Sequence, residues 1–271
     1  MNSSIMSRPF GKCWVKMARL RVVGEYVAAV IVLLLIWSLY IRFFDVPAFL
    51  LPAPSDVGAA MIDMISTQNL MFHFSVTAGE VFAGFFLGIL LGCVMGYLIG
   101  KLKLLEEALM PYILLAQTAP KIALAPLFVI WFGLGFASKL VLIISMVFFP
   151  VMLGTIFGLK SITYNLKCLM QITGLNWWQK VLQVELPYAM PQIFAGLKVG
   201  MVQAVIAAIV AEWISGENGL GYLLVFNSTT YNSPMLFASI IYTIIVGIIF
   251  YALIGLLENR FLFWHDSKQS R

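Results

Sequence analysis

The stretch ITGLNWWQKVLQVELPYAMPQIFAGL, residues Ile172 to Leu197, contains more turn-forming residues than a simple connection between two membrane spans needs. A glycine precedes two adjacent tryptophans, and two prolines, Pro187 and Pro191, follow them four residues apart. One long apolar run ends before the stretch, and another begins within it. The segment is therefore expected to form a structure of its own at the membrane surface.

The spacing of apolar residues predicts a short amphipathic helix within this stretch. Leu175, Trp178 and Leu182 recur on one helix face, and Trp177, Val181 and Val184 fall on a neighbouring stripe, whereas Gln179, Lys180 and Gln183 are polar. Gly174 permits a sharp turn before the helix, and the two prolines are expected to break the chain and redirect it into the next span. From the residues alone, such a helix either lies in the membrane interface or is presented to a partner protein.

The composition around this stretch is that of a polytopic membrane protein. Of the 271 residues, 62% are hydrophobic and only 11% are charged, whereas soluble domains contain roughly 25% charged residues. The mean hydropathy of +0.97 also excludes a disordered chain, which needs low hydrophobicity and high charge. The three cysteines form no disulfide framework, and no zinc-type spacing of Cys and His is present.

Six apolar runs are long enough to cross about 30 Å of hydrocarbon at about 1.5 Å per residue. They lie near residues 25–44, 73–99, 108–132, 138–159, 191–214 and 235–257. Prolines and Lys121 interrupt the third run, which is either one kinked helix or two shorter pieces. The expected organisation is a basic tail over 1–24, a transmembrane domain over 25–260 with a loop at 160–190, and a second tail over 261–271.

Lysine and arginine residues predict the orientation of these spans. Most of them lie in the two tails and in the connections at 100–107 and 160–190. The alternate connections, 45–72, 133–137 and 215–234, contain none. Both termini are therefore expected in the cytoplasm. The net charge of +5 follows membrane topology, so it does not indicate a nucleic-acid partner. The N-terminal apolar run is a full span long without a small-residue cleavage pattern, and we expect no cleaved signal peptide there.

Two spans carry stripes of small residues at intervals of four. The second span has five glycines in register, and the fifth has a similar ladder that ends at Glu212. Small residues let another helix backbone approach closely. The stripes indicate either static packing or helices that shift against each other. The ladders comprise Gly84, Gly88, Gly92, Gly96, Gly100, and then Gly196, Gly200, Ala204, Ala208.

Four ionisable residues lie within or near the ends of spans: Glu80, Lys121, Lys198 and Glu212. A charge in the bilayer centre costs about 2.5–3.5 kcal/mol on insertion scales, so such residues are expected to face the protein interior, a partner or water. A transport pathway and internal structural pairing both explain them. No G-x-S-x-G, HExxH or Walker A pattern is present, so any ATP that drives transport must be hydrolysed by another chain.

The spacing from Gly174 through nine residues to Val184-x-Leu186-Pro187 resembles the cytoplasmic loop of ABC importer permeases, whose pattern is EAA, three residues, G, nine residues, I-x-L-P. Four further stretches are similar in order and spacing to the nitrate/sulfonate/taurine branch of these permeases. They are LPAPSDV at 51–57, PKIALAPLFVIWFGLG at 120–135, ELPYAMPQIFAGLKVG at 185–200 and GLGYLL at 219–224. The sequence departs from the pattern at the EAA positions, which hold Cys168, Leu169 and Met170.

The resemblance implies an all-α type I importer permease with about six transmembrane helices and a short cytoplasmic coupling helix, in a bacterial cytoplasmic membrane. It implies a second copy of the chain, a dimer of ATPase subunits that bind ATP and Mg, and an external solute-binding protein. This chain itself would bind no cofactor and catalyse no reaction. The implied ATPase-coupling residues are Gly174, Asn176, Trp177, Trp178, Lys180, Val181, Leu182, Val184 and Pro187. The residues expected in the translocation path or gate are Lys121, Gln203, Glu212, Gly219 and Gly221.

In the expected cycle, closure of the ATPase dimer moves the helix around Asn176 to Val184 and rocks the spans between two access states. Gly174 and an elbow at Pro187 and Pro191 would connect this helix to the spans. The glycines of GENGLGYLL either form part of an outer gate or only turn the chain. An ion-coupled secondary transporter is the alternative, and an intramembrane enzyme is a weaker one, because the polar residues are scattered. The solute is either a small anion, such as nitrate, a sulfonate or taurine, or a pyrimidine precursor of thiamine.

Overall fold

The computed structural model describes residues 10–262, with side chains from residue 24 onward. This part of the chain folds into eleven α-helices, joined by a 3-10 turn at Lys121–Leu124 and a π-helical segment at Lys180–Glu185. The α-helices are α1 (Phe10–Phe44), α2 (Pro54–Thr67), α3 (Leu70–Lys101), α4 (Lys103–Thr118), α5 (Ala125–Phe132), α6 (Phe136–Lys160), α7 (Tyr164–Ile172), α8 (Trp177–Gln179), α9 (Leu186–Ser215), α10 (Leu220–Thr229) and α11 (Ser233–Phe261).

The helices confirm the expected all-α fold with about six spans. Five helical stretches in the described chain are long and apolar enough to cross a membrane: Gly24–Phe44, α3, α6, Trp177–Ser215 and α11. The third predicted span consists of two pieces, α4 and the stretch Lys121–Phe132, which meet at an angle of 75°. The prolines around this break explain it, because each removes a backbone donor and its ring obstructs the preceding turn.

The centre of the bundle is α6, which packs between α3 and α9. The glycine stripe of α3 faces α6: a Cβ added to Gly88 would lie 2.7 Å from Val147, and one added to Gly96 would lie 2.6 Å from the Met152 carbonyl oxygen. Such close approach requires glycine, since any side chain would separate the helices. The stripe predicted from the sequence therefore positions α3 directly against the backbone of α6.

At one end of the bundle, α2, α10 and α11 pack together around Met64, Leu220 and Val246. Residues 216–219 and α10 lie here, and we refer to it as the α10 end. A polar contact crosses this cluster: the Gln68 and Asn227 amides donate to each other's carbonyl oxygens at 2.8 and 3.1 Å. The opposite, α7 end carries α7 and α8. The lysine and arginine pattern predicts that the α7 end faces the cytoplasm.

The helix α1 lies at the periphery, and its span from Gly24 to Phe44 is almost entirely exposed. Its Trp37 ring packs against Phe237 of α11, with ring centroids 5.7 Å apart. An apolar helix exposed on most of its surface is expected to face lipid. The residues before 10, the side chains of 10–23 and the residues after 262 lie outside the description, so the proposed roles of the two tails stay predictions.

Candidate coupling segment and translocation sites

The loop at the α7 end contains two helices where the sequence predicted one. The helix α7 precedes the predicted turn, and α8 begins three residues after it. Gly174 has φ of +63°, a left-handed conformation that suits glycine, so the predicted turn is present. The backbone N–H of Asn176 donates to the Gln179 side-chain oxygen at 2.9 Å. This hydrogen bond caps the N-terminus of α8.

The predicted break at Pro187 and Pro191 is wrong. The chain is helical without interruption over Trp177–Ser215, so the coupling segment and the fifth span form one helix of 39 residues. The π-helical segment Lys180–Glu185 directly precedes Pro187, and its i→i+5 pattern widens the turn that the proline ring would otherwise obstruct. Pro187 itself occupies the first turn of α9, and Pro191 lies within that helix.

The outer side of this helix presents an apolar surface, which we call the tryptophan face and define as Trp177, Trp178 and Leu182. The rings of the two tryptophans meet edge to face, with centroids 4.5 Å apart. Trp178 is 65% exposed and Leu182 is 58% exposed. Three further predicted coupling residues, Lys180, Val181 and Val184, are half-buried. The tryptophan face therefore points away from the bundle and can be covered by a partner protein or by the membrane interface.

The inner side of the same segment is fixed to the bundle by Glu185, which the sequence analysis did not single out. This buried carboxylate accepts a hydrogen bond from the Tyr97 hydroxyl at 3.0 Å and pairs with Lys101. Both partners belong to α3. The contact joins the end of α3 to the π-helical segment, so the coupling segment and two spans are connected by a charge-assisted contact.

The three residues at the EAA positions lie on α7 and differ in their surroundings. Met170 is buried against Leu159, Ile162 and their neighbours, whereas Leu169 is exposed and Cys168 is half-exposed. The position of the pattern's glutamate is therefore occupied by a small uncharged side chain. Any partner at this surface would meet an apolar patch here in place of a carboxylate.

At the α10 end, Glu212 of α9 holds the loop that leads into α10. The fully buried carboxylate of Glu212 accepts hydrogen bonds from the Thr77 hydroxyl at 2.6 Å and from the Gly221 backbone N–H at 2.7 Å. The Gly219 N–H donates to His73 Nδ1 at 3.0 Å, and the Leu220 N–H donates to the Thr77 hydroxyl oxygen at 2.9 Å. The predicted gate residues Glu212, Gly219 and Gly221 are thus brought together.

A buried ion pair lies beside this network. Glu80 of α3 and Lys139 of α6 are 2.7 Å apart, and both side chains are almost completely buried. Glu212 of α9 lies close to both members of this pair. The sequence does not indicate this pairing, because the two residues lie on different helices. Lys198 also has an internal partner, because its Nζ lies 2.7 Å from Glu258 of α11.

Lys121 and Gln203, the other two residues expected in the path, line one cavity of about 300 Å³. Its wall combines the break after α4 with parts of α6 and α9. The lining residues are Gln117, Ala119, Pro120, Lys121, Ile122, Met146, Pro150, Val199 and Gln203. The five predicted path residues therefore fall into two groups. Lys121 and Gln203 line this cavity, and Glu212, Gly219 and Gly221 belong to the network at the α10 end.

Comparison with known proteins supports the resemblance noted in the sequence. Residues 84–263 match the family described as the binding-protein-dependent transport system inner membrane component. The chain is 34% identical to the riboflavin transport system permease protein of Chloroflexus aurantiacus, over 87% of this chain and 88% of that protein. It is also 34% identical to the formylaminopyrimidine transport permease protein of Halalkalibacterium halodurans, over 88% and 94% of the two chains.

A third relative is the putative aliphatic sulfonates transport permease protein of Bacillus subtilis, at 30% identity over 88% of this chain and 86% of that one. All three matches extend over most of both chains, and the family match includes α6, α9 and the coupling segment between them. The described helices are those of a multi-pass inner-membrane protein. The chain therefore belongs to the binding-protein-dependent transport system inner membrane components, the permease subunits of ABC importers.

Proposed function

We propose that this chain forms the translocation path of an ATP-driven importer for a small polar organic solute. Two copies of the chain enclose the path, an external binding protein delivers the solute, and two ATPase subunits dock at the α7 end. ATP and Mg are bound by those ATPase subunits. The observation that carries the proposal is the tryptophan face, an exposed apolar surface on a helix that continues directly into the bundle.

The tryptophan face suits an ATPase better than the membrane interface alone. A partner that must move the spans needs a surface that is rigidly connected to them. The helix from Trp177 to Ser215 provides the connection along the chain, and the contact of Glu185 with α3 provides a second one. Displacement of the tryptophan face would therefore move α9 and α3 together. Rigid-body movement of this kind is a known route to alternating access.

The network at the α10 end is proposed to form the opposite gate. Glu212 belongs to the same helix as the tryptophan face, and it holds the backbone of Gly221 directly. A shift of α9 would therefore shift or release the loop before α10. Because Glu212 is fully buried and hydrogen bonded, we assign it to holding this gate and not to binding solute.

The proposed solute is a small organic molecule of the kinds named for the relatives, a nitrogen heterocycle or a sulfonate. The two relatives at 34% identity are named for riboflavin and formylaminopyrimidine, and the one at 30% is named for aliphatic sulfonates. These names support a nitrogen heterocycle as the first solute to test. The notion of a purely inorganic anion such as nitrate receives no support from them.

The experiment that tests this function is purification of the tagged chain from its native membranes in mild detergent. The wild-type chain should retain an ATPase and lose it on Trp178→Ala. Trp131→Ala is the matched control, because Trp131 in α5 is equally exposed at 64% but lies outside the coupling segment. Retention of the ATPase by Trp178→Ala would contradict the docking surface. A preparation without ATPase that transports solute on an ion gradient would instead support a secondary transporter.

A further inference from the structure

The cavity beside Lys121 lies where a predicted membrane span is interrupted. The chain there leaves α4, turns through the 3-10 segment Lys121–Leu124 and continues as α5 at an angle of 75°. A broken helix exposes backbone groups that lipid cannot satisfy. Irregular backbone at membrane depth is tolerated only where it is buried in protein or lines a water-filled cavity. The cavity of about 300 Å³ supplies such a space beside the break.

Lys121 occupies this cavity without a carboxylate partner among the described residues. Its ammonium donates to the Gln117 backbone oxygen at 2.8 Å and lies 4.7 Å from the centre of the Phe149 ring. By contrast, Glu80, Lys139, Lys198 and Glu212 all have internal partners. The ammonium retains donor hydrogens for a further acceptor, since it has three and uses one here.

Two amide side chains lie at the cavity, and they differ in their access to it. The side-chain oxygen of Gln117 is buried and has no hydrogen-bond partner within the described structure. A buried carbonyl oxygen without a partner is destabilising, and this one is not exposed to the cavity. The Gln203 amide, on the neighbouring wall, supplies one further acceptor and two donors. Met146, Pro150 and Val199 make the remaining walls apolar.

We propose that this cavity is a solute-binding station on the translocation path, and that it takes a single-ring nitrogen heterocycle. The Lys121 ammonium would donate to a ring nitrogen or carbonyl of the solute, and the Gln203 side-chain oxygen would accept from a neighbouring ring amine. The apolar walls would cover the faces of the ring. This inference rests on the proposed function, because it places the station on the path of the importer.

The same groups exclude other solute classes. An alkanesulfonate presents only acceptor oxygens at its head group and would leave the Gln203 side-chain oxygen without a donor. The volume lies at the lower end of the range for small-molecule sites, about 300–1,000 Å³. A single-ring solute therefore fits the cavity of one chain more completely than a three-ring solute does. The binding station favours a formylaminopyrimidine-sized molecule.

The test uses the complete importer, with its ATPase and binding protein, reconstituted in liposomes. The probes are radiolabelled formylaminopyrimidine, ethanesulfonate and riboflavin, each at equal concentration. The wild-type importer should take up formylaminopyrimidine. Lys121→Met should reduce the uptake rate about tenfold or more, because it removes a hydrogen bond from a charged donor. Lys121→Arg should restore part of the rate, and Gln203→Leu should reduce it as well.

Lys103→Met is the control, because Lys103 is a fully exposed lysine at the other end of α4 and should leave uptake unchanged. ATPase activity stimulated by the binding protein is measured in the same liposomes. Continued ATP hydrolysis by Lys121→Met with lost uptake would support the station and show that docking is intact. Wild-type uptake by Lys121→Met, or transport of ethanesulfonate or riboflavin in preference to the pyrimidine, would overturn it. Failure of the proposed function would appear separately, as absence of any bound ATPase.

Discussion

Gly154 of α6 and Gly196 of α9 pack backbone against backbone. A Cβ added to Gly154 would lie 3.2 Å from the Gly196 Cα and 2.7 Å from the Gln192 carbonyl oxygen. A Cβ added to Gly196 would lie 2.6 Å from the Pro150 carbonyl oxygen. These atoms belong to helix backbones, which cannot rotate away as side chains do. The distance between the two central helices is therefore set by the absence of side chains at these two positions.

We predict that Gly196→Ala destabilises the protein by about 1–3 kcal/mol, the usual cost of overpacking a tight interior. The measurement is thermal unfolding of the purified chain in detergent, followed by tryptophan fluorescence. The matched control is Gly255→Ala in α11, where an added Cβ would meet no atom within 4 Å. The control should be neutral or slightly stabilising, because alanine is the better helix former. Equal effects at the two positions would contradict the close approach.

A second prediction concerns Gly219, which has φ of +109° and faces the Glu212 carboxylate. An added Cβ would lie 2.6 Å from Glu212 Oε2, so Gly219→Ala should displace the carboxylate from Gly221 and lower both stability and uptake. Gly133→Ala is the control that measures backbone strain alone, without a steric contact of the added Cβ. Gly133 also has positive φ, +78°, but has open space around it. Backbone strain should lower the free energy of unfolding of both variants by about 1–3 kcal/mol. Only Gly219→Ala should be destabilised further, because only its Cβ meets the carboxylate.

The ion pair of Glu80 with Lys139 predicts a non-additive pattern of stability. Glu80→Gln or Lys139→Met alone should destabilise by about 3–5 kcal/mol, because each leaves a buried charge without its partner. The double variant should recover most of that loss. A double-mutant cycle in detergent unfolding measures the coupling between the two residues. Additive losses would show that the two charges do not depend on each other.

The π-helical segment predicts that one deletion removes ATPase docking and leaves the protein folded. Deletion of the exposed Gln183 should convert Lys180–Glu185 into ordinary α-helix, because a π-bulge contains one extra residue. The Pro187 ring would then obstruct the preceding α turn, and the helix should kink between the tryptophan face and α9. We expect the deleted protein to stay folded and to lose its ATPase. Gln183→Ala, which keeps the residue count, should retain the ATPase.

Gly174 provides a final prediction, because it has φ of +63° and no neighbour within 4 Å of an added Cβ. Gly174→Asn should keep ATP-driven uptake near the wild-type rate, since asparagine tolerates the left-handed conformation. Gly174→Val should reduce uptake strongly, since a β-branched residue forces α8 away from its direction. Liposome uptake and thermal unfolding are measured together. Equal uptake by the two variants would show that the turn does not orient the coupling segment.

The spans and the glycine stripe could be predicted from the sequence because both follow from local rules. Apolar length identifies a span, and residues four apart on a helix share a face. The stripe predicted that another backbone lies against α3, but it did not identify α6 as that helix. The partner depends on how all the spans arrange themselves, and a local pattern contains no information on that arrangement.

The missed features depend on contacts between distant parts of the chain. Glu80 and Lys139 are 59 residues apart, and neither helix alone indicates their pairing. Lys121 and Gln203 were each predicted in the path, but only the folded chain brings them to one cavity. The continuous helix through Pro187 was missed for a different reason. Proline ordinarily predicts a break, and here the wider π turn before it removes the steric conflict.

The unbroken helix over Trp177–Ser215 has a further geometric consequence. At about 1.5 Å per residue, its 39 residues extend for about 58 Å, roughly twice the hydrocarbon thickness of a bilayer. A tilt of about 10° around one end would displace the other by about 10 Å. The same rod carries Trp178 near its start and Glu212 near its end. A small angular change on one side of the membrane is thereby converted into a displacement of several ångströms on the other.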